Sequence, residues 1–438
     1  MRLYSTKSRG HYTSLREAVL RGLPPDNGLY MPASIPALPP SFLQNLKNHS
    51  FQEIAFKVAQ TLFQGAIPDA DLHAITDNAV NFDAPVVSLN EQQHVLELFH
   101  GPSLAFKDFG ARFMAQLMSY FNQGEARELV VLVATSGDTG GAVAAGFYQT
   151  PGTRVVILYP QGKVSELQEK QLTTLGHNIN ALEIEGTFDD CQAIVKQAFL
   201  DAELTRRIRL TSANSINISR LVPQSFYYFE AYKQLPDTND VVFCVPSGNF
   251  GNLTAGLLAQ RMGLPARHFV AATNANDVVP AYLQTGAYRP RPSQRTLSNA
   301  MDVGNPSNFA RMQDLYHHLE ERSTWNNMKA SISGYAYSDE ATRAALKEVY
   351  ERYGYVIDPH GAVGYLALSE YQATHPEANG VILETAHPAK FLPDVEAILG
   401  QKIEVPERLA KLAQREKVAD LLPPSYSSVK SWLLDHLV

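Results

Sequence analysis

Apolar residues are spaced in two ways along the chain, and the change comes near residue 85. Before it, residues 50–63 and 69–81 carry apolar positions at helical spacing. The turn clusters Pro24-Pro25-Asp26-Asn27-Gly28 and 35–40 separate these segments. A helical N-terminal module is expected over 1–84. After it, short continuous apolar runs alternate with helical stretches. Leu129-Val130-Val131-Leu132-Val133-Ala134 reads as a strand buried on both faces. Further strands are expected at 155–159, 179–184, 241–245, 268–273 and 381–385, and helices at 142–148, 165–175, 189–201 and 253–262. Ser165 suits an N-cap, and Gly176 a stop.

This alternation predicts an α/β fold with largely parallel sheet. Two strand–Gly-rich loop–helix units, at 134–145 and 245–257, predict two wound sheets with a cleft between them. The expected division is a helical module (1–84), a smaller α/β domain carrying Lys107 (85–215), a larger α/β domain (216–399) and a helical tail (400–438).

Composition narrows the class. A chain of 438 residues, 45% hydrophobic, has room for two or three domains and a large core. The formal net charge is -7 and there is no long basic run, so neither nucleic acid nor an anionic membrane is an expected partner. No apolar stretch approaches the ~18 residues of a membrane span. Residues 1–10 are interrupted by Arg2, Ser5, Thr6, Lys7 and Arg9, so a secretory signal core is not expected there. Cys191 and Cys244 both sit in apolar or helical surroundings and suit small buried hydrophobes better than a disulfide or metal site. The expected compartment is a reducing cytoplasm. The pair His317-His318 lacks carboxylate or thiolate company, so no metal site is read there.

Three segments carry candidate chemistry. Ser247-Gly248-Asn249-Phe250-Gly251-Asn252 follows a strand and opens a helix, which suits either a phosphate cradle or a tight turn that requires Gly. Thr135-Ser136-Gly137-Asp138-Thr139-Gly140 stands at the carboxyl end of another strand, where ligands bind in open α/β sheets; helix capping is the alternative. Lys107 lies between Phe106 and Asp108-Phe109. Burial would lower its proton affinity and make it a nucleophile; otherwise it is a solvated lysine paired to Asp108.

Taken together and in order, these segments resemble a known family. Residues 100–112 resemble the pyridoxal 5′-phosphate (PLP) lysine segment of threonine synthase. Residues 134–140, 214–220, 245–252 and 384–391 resemble further segments of it, and 1–32 its N-terminal module. The likeness covers nearly the whole chain and is greatest to the longer bacterial and fungal branch. It implies PLP fold type II, with the cofactor in the cleft and held as a Schiff base on Lys107. It implies a cofactor-phosphate cradle of Gly248, Asn249, Phe250 and Gly251, with Asn252 at its edge, and Thr385 on the pyridine nitrogen. Ser136, Gly137 and Thr139 would take the substrate carboxylate, and Asn214, Ser215 and Arg220 the substrate phosphate.

Asp138 stands where many fold-type-II relatives place Asn beside the cofactor's phenolic oxygen. An Asp there is repelled unless a proton is shared, so it is either a tuned group or one turned away. Asn252 and Gly141 replace the Asp and Ala expected in the nearest relatives. For His100, His360 and His387 a hydrogen-bonded structural role is favoured over acid–base chemistry. The implied reaction converts O-phospho-L-homoserine and water to L-threonine and phosphate, in a monomer or small homo-oligomer. A phospho-lyase or a threonine or serine dehydratase on the same scaffold, or a non-catalytic PLP-binding homologue, are the competing readings.

Overall fold

The computed structural model describes residues 1–135, 137–317 and 323–438. Its strands run β1 (Arg2–Ser5), β2 (Ser8–Ser14), β3 (Tyr30–Pro32), β4 (Val86–Ser88), β5 (Gln93–Glu97), β6 (Leu129–Ala134), β7 (Thr153–Pro160), β8 (Ile179–Ile184), β9 (Arg209–Ser212), β10 (Val241–Pro246), β11 (His268–Thr273), β12 (Ile332–Ala336), β13 (Asn379–Glu384) and β14 (Asp420–Leu422). They form three sheets.

Two of these are the wound sheets expected. The smaller has the order β14-β8-β7-β6-β9 and is parallel throughout. The larger has the order β12-β11-β10-β13-β5-β4, antiparallel only at β4. Side chains alternate across each. Val131 and Val133 of β6 join the core shared with the helices Lys107–Asn122 and Asp138–Phe147. Val130 and Leu132 face the opposite core, with Cys191, Ile194, Val429 and Leu433. In β10, Phe243 and Val245 face the shared core while Val242 and Cys244 pack under the helix Pro359–Thr374. Both faces are therefore buried, which is why these strands read as unbroken apolar runs.

The sheets cross the expected boundaries. β4 and β5, in the 85–215 segment, pair into the larger sheet through β13, and β14, from the tail, extends the smaller one beside β8. Pairing partners lie hundreds of residues apart, so local pattern carries no signal of them. The N-terminal module holds its two long helices, Phe51–Phe63 and Asp69–Ala79. It also carries a small antiparallel sheet, β2-β1-β3, ahead of them. Its strands are short, and β2 is mostly polar and exposed, so no alternation marks them. Caps set several helix starts: Ser50 and Ser165 each form a reciprocal box with the residue three positions on, Glu53 and Gln168.

Candidate active site

Lys107 opens the helix Lys107–Asn122, which is held between two others by glycines. A Cβ at Gly146 would come 2.9 Å from the Ala111 carbonyl carbon, and one at Gly110 would come 3.0 Å from Arg220 O. Only glycine allows backbones this close. The helix is thereby wedged beside Asp138–Phe147 and the short helix Ile218–Leu221. Its start is tied to the larger sheet as well: Phe106 N–H donates to Thr385 O at 2.9 Å, and Ala105 bridges to Ala386. Lys107 and Thr385 are thus fixed to one another through main chain. Ala386 N–H in turn donates to Asp358 Oδ2 at 3.2 Å, and Leu98 N–H to Glu384 O at 3.0 Å. Glu384 itself is fully buried. Burial, then the neighbouring Asp358, holds its carboxyl well above the usual range.

The Lys107 side chain is 18% exposed, and its Nζ lies 4.0 Å from Asp138 Oδ2. Burial pushes its amine down to about 8; Asp138 opposes the fall, while Lys390 and Arg220 add to it. Asp108 is not its partner. It is fully buried, accepts from Ser103 N–H at 2.8 Å, and burial raises its carboxyl to about 6.

Asp138 lies between two lysines. Burial alone would raise its proton affinity, but Lys390 and Lys107 overcome that and hold the carboxylate well below its ordinary range. Lys390 Nζ is 2.7 Å from Oδ1, and Gln168 Nε2 donates to the same oxygen at 3.1 Å. Gly137 precedes it at φ 139°, where a Cβ would strike Gln168. The loop is organised by Thr135, whose Oγ1 accepts from Gly137 N–H at 3.0 Å and Gly140 N–H at 2.9 Å. Thr139 is partly exposed at the second helical position. Ser136 lies outside the described residues, as does His318.

Arg220 is 3% exposed. Its Nη1 donates to Ala213 O at 2.8 Å, its Nε has no partner, and burial pushes the guanidinium down to about 10. A buried cation with an unmet donor suits an anion. Asn214 and Ser215 lie just upstream, partly exposed. Ser215 Oγ accepts from Asn249 Nδ2 at 2.6 Å, which joins this segment to the second glycine loop.

That loop leads into the helix Gly251–Arg261, with Phe250 left-handed at φ 58° as its N-cap. The first N–H groups of such a helix lack intrahelical partners. A Cβ at Gly248 would lie 2.7 Å from Met301 Cα and 2.9 Å from Ala300 O. Ala300 is set by His360, whose Nε2 accepts its N–H at 3.2 Å while Nδ1 faces Asp358 Oδ1 at 2.8 Å. His360 is accordingly a hydrogen-bonded structural residue. His387 caps its own turn, accepting from Ala389 N–H, and His100 pairs with Glu97 at 2.7 Å. The Asn252 side chain turns inward, bonding Ser247 Oγ at 2.5 Å and Pro246 O at 2.9 Å.

Lys390, Gln168 and Thr135 carried no role in the sequence reading. Lys390 had a related signal, a lysine directly between two apolar residues, Ala389 and Phe391. Among the described residues no group of acidic, histidine or cysteine side chains is placed to hold a metal, and no helix is long and apolar enough to cross a membrane.

A lysine of lowered proton affinity, a glycine loop at a helix start, a buried guanidinium with a free donor and the neutral hydroxyl of Thr385 fit PLP together with a phosphorylated substrate. Comparison with known proteins agrees. The family profile described as pyridoxal-phosphate dependent enzyme matches residues 85–385; those described as threonine synthase N terminus and threonine synthase C-terminal match 2–80 and 361–433. The chain is 45% identical over 436 residues to a threonine synthase of Serratia marcescens, covering 99% of each. It superposes on the crystal structure of threonine synthase from Escherichia coli with a TM-score of 0.91 at 44% identity, covering all of both chains. The PLP-bound threonine synthase from Brucella melitensis gives 0.95 at 35% identity, covering 100% of this chain and 99% of that one. Maize serine racemase, 16% identical with a TM-score of 0.54 over 72% of this chain and 92% of that one, shares the fold alone. The chain belongs to the threonine synthase family of pyridoxal-phosphate dependent enzymes.

Proposed function

We propose that this enzyme converts O-phospho-L-homoserine and water to L-threonine and phosphate, acting in the cytoplasm. The observation that carries the substrate is the buried guanidinium of Arg220, with Nε unpartnered, beside the segment of Asn214 and Ser215. A dehydratase acting on threonine or serine has no phosphate to place there. Two buried, unpaired cysteines support a reducing compartment.

Lys107 would hold PLP covalently. Backbone amides of Gly248, Asn249, Phe250 and Gly251 would face the cofactor phosphate, and Thr385 the ring nitrogen. When bound, PLP supplies a conjugated ring that stabilises negative charge on the substrate carbon bearing the amine. A neutral hydroxyl at Thr385 does not enforce ring protonation as a carboxylate would, so that stabilisation is moderated.

Lys107, with its amine free, would serve as the base. Its proton affinity near 8 suits both removal and return of protons at neutral pH. It takes the Cα proton, passes it to solvent and then takes one from Cβ; the C–O bond at Cγ breaks and phosphate departs with the electron pair. A proton returned at Cγ makes the methyl group. Water then adds its hydroxyl at Cβ and a proton returns to Cα. Arg220, Asn214 and Ser215 hold the leaving phosphate throughout, and the loop of Ser136, Gly137 and Thr139 orients the substrate carboxylate so that the Cα–H bond stands across the ring.

The test is a product assay. Enzyme supplied with PLP and O-phosphohomoserine should release threonine and phosphate in equal amounts. Phosphate with 2-oxobutyrate and no threonine would make it a phospho-lyase.

A further inference from the structure

Asp138 stands between two lysines. Its Oδ2 faces Lys107 Nζ at 4.0 Å, and its Oδ1 takes Lys390 Nζ at 2.7 Å and Gln168 Nε2 at 3.1 Å. Lys390 reaches in from the turn Pro388–Phe391, immediately beyond Thr385. Its side chain is only 2% exposed, and its amine also donates to Ser103 O at 3.0 Å. An ammonium group withdrawn this far from water is retained only where a partner and hydrogen bonds offset the lost hydration. Both are present, and both belong to the loops around Lys107.

The charge arithmetic is specific. The groups acting on Lys107 are Asp138 from the helix Asp138–Phe147, Lys390 from its turn, and Arg220 from the helix Ile218–Leu221. Asp108, on the Lys107 helix, faces Ser103 N–H and is influenced by Lys390 and Arg112. Asp138 without Lys390 would present a bare negative charge to Lys107 and to any anionic cofactor oxygen nearby. With Lys390 bound on its other oxygen, that charge is matched while the geometry is kept.

We propose that Lys390 is a positioning residue for Lys107: seated on Asp138 Oδ1, it balances the charge of the carboxylate that faces the Lys107 amine, so that Asp138 and Lys390 act on Lys107 as one neutral pair. This deepens the assignment of Lys107 as the working amine and rests on it.

The experiment follows Lys107 itself, in the full chain freed of PLP. Reductive methylation with formaldehyde and cyanoborohydride is run over a series of pH values and read at Lys107 by peptide mass spectrometry. The wild-type midpoint is expected at about 8. Asp138→Asn removes an attraction and should move the midpoint down by about one pH unit; Lys390→Gln removes a repulsion and should move it up by about as much. The double variant should return to within about half a unit of wild type. Lys390→Arg, which keeps the charge, should leave the midpoint in place. Single variants that shift in the same direction, a double variant that does not return, or an arginine variant that shifts as far as the glutamine one would each overturn the proposal. If Lys390→Gln fails to fold by circular dichroism, Asp138→Asn and Lys390→Arg decide: an unchanged or raised midpoint in the first, or a displaced one in the second, refutes it. No substrate is involved, so this outcome is separate from that of the product assay.

Discussion

Asn249 Nδ2 donates to Ser215 Oγ at 2.6 Å, and Asn249 Oδ1 accepts from Ser307 N–H at 2.6 Å. One amide therefore joins the glycine loop proposed for the cofactor phosphate to the segment proposed for the substrate phosphate.

Replacing Asn249 with Ala leaves a hydroxyl and an N–H without their partners. The cost, about 1.4 kcal/mol, should appear mainly at the substrate: KM for O-phosphohomoserine rises about tenfold while PLP remains bound through backbone groups. Steady-state kinetics beside cofactor content checks this. Loss of PLP with unchanged KM would show that Asn249 serves the cofactor alone.

Arg220→Gln removes a buried cation whose Nε has no protein partner. Losing one side of a buried charge pair costs about 2–5 kcal/mol, so KM should rise on the order of 100-fold with PLP retained. A variant purified without PLP, but with substrate affinity intact, would place Arg220 at the cofactor phosphate.

The Lys107 amine, pushed down to about 8 by burial, attacks PLP only when neutral. Capture of PLP by the chain freed of cofactor should speed up about tenfold per pH unit below that value and level off above it. Stopped-flow absorbance measures it. Lys107→Ala should show no capture, no borohydride-trapped adduct and no turnover; retained activity would remove Lys107 from its role.

Gly248→Ala tests the cradle. The added methyl would meet Met301 Cα at 2.7 Å and Ala300 O at 2.9 Å, both backbone, with Ala300 anchored on His360. Forcing a methyl into packed backbone costs about 1–3 kcal/mol. PLP affinity should fall about 10- to 100-fold, measured by titration of the cofactor-free chain, with partial recovery of activity at high PLP.

The apolar run of β6 marked that strand at its observed limits, because a strand covered on both faces has no polar alternation to blur it; β8 and β11 were marked at their limits too, although Asn180 and Glu183 interrupt β8. The helix starts at Ser50 and Ser165 were legible because capping is a local hydrogen bond within a few residues. The small N-terminal sheet was not. Its strands are short, and β1 pairs with β3 across the intervening helix Leu15–Arg21. Likewise, β5 belongs to the larger sheet only because β13, nearly three hundred residues on, runs beside it.

At the site, residue type marked Lys107 and the two glycine loops as candidates with open alternatives, and the resemblance of the ordered segments to a known family added Arg220. Whether Asp138 is a tuned group or one turned away was open from sequence, as either suits the same letters. The fold adds what the letters lack: it brings Lys390, from a turn some two hundred and fifty residues later, to 2.7 Å of Asp138 Oδ1. Local pattern determines which segments become strands, helices and caps, because those depend on neighbours in the chain. Charge state depends on burial and on what lies within a few ångströms, and only the tertiary structure decides that.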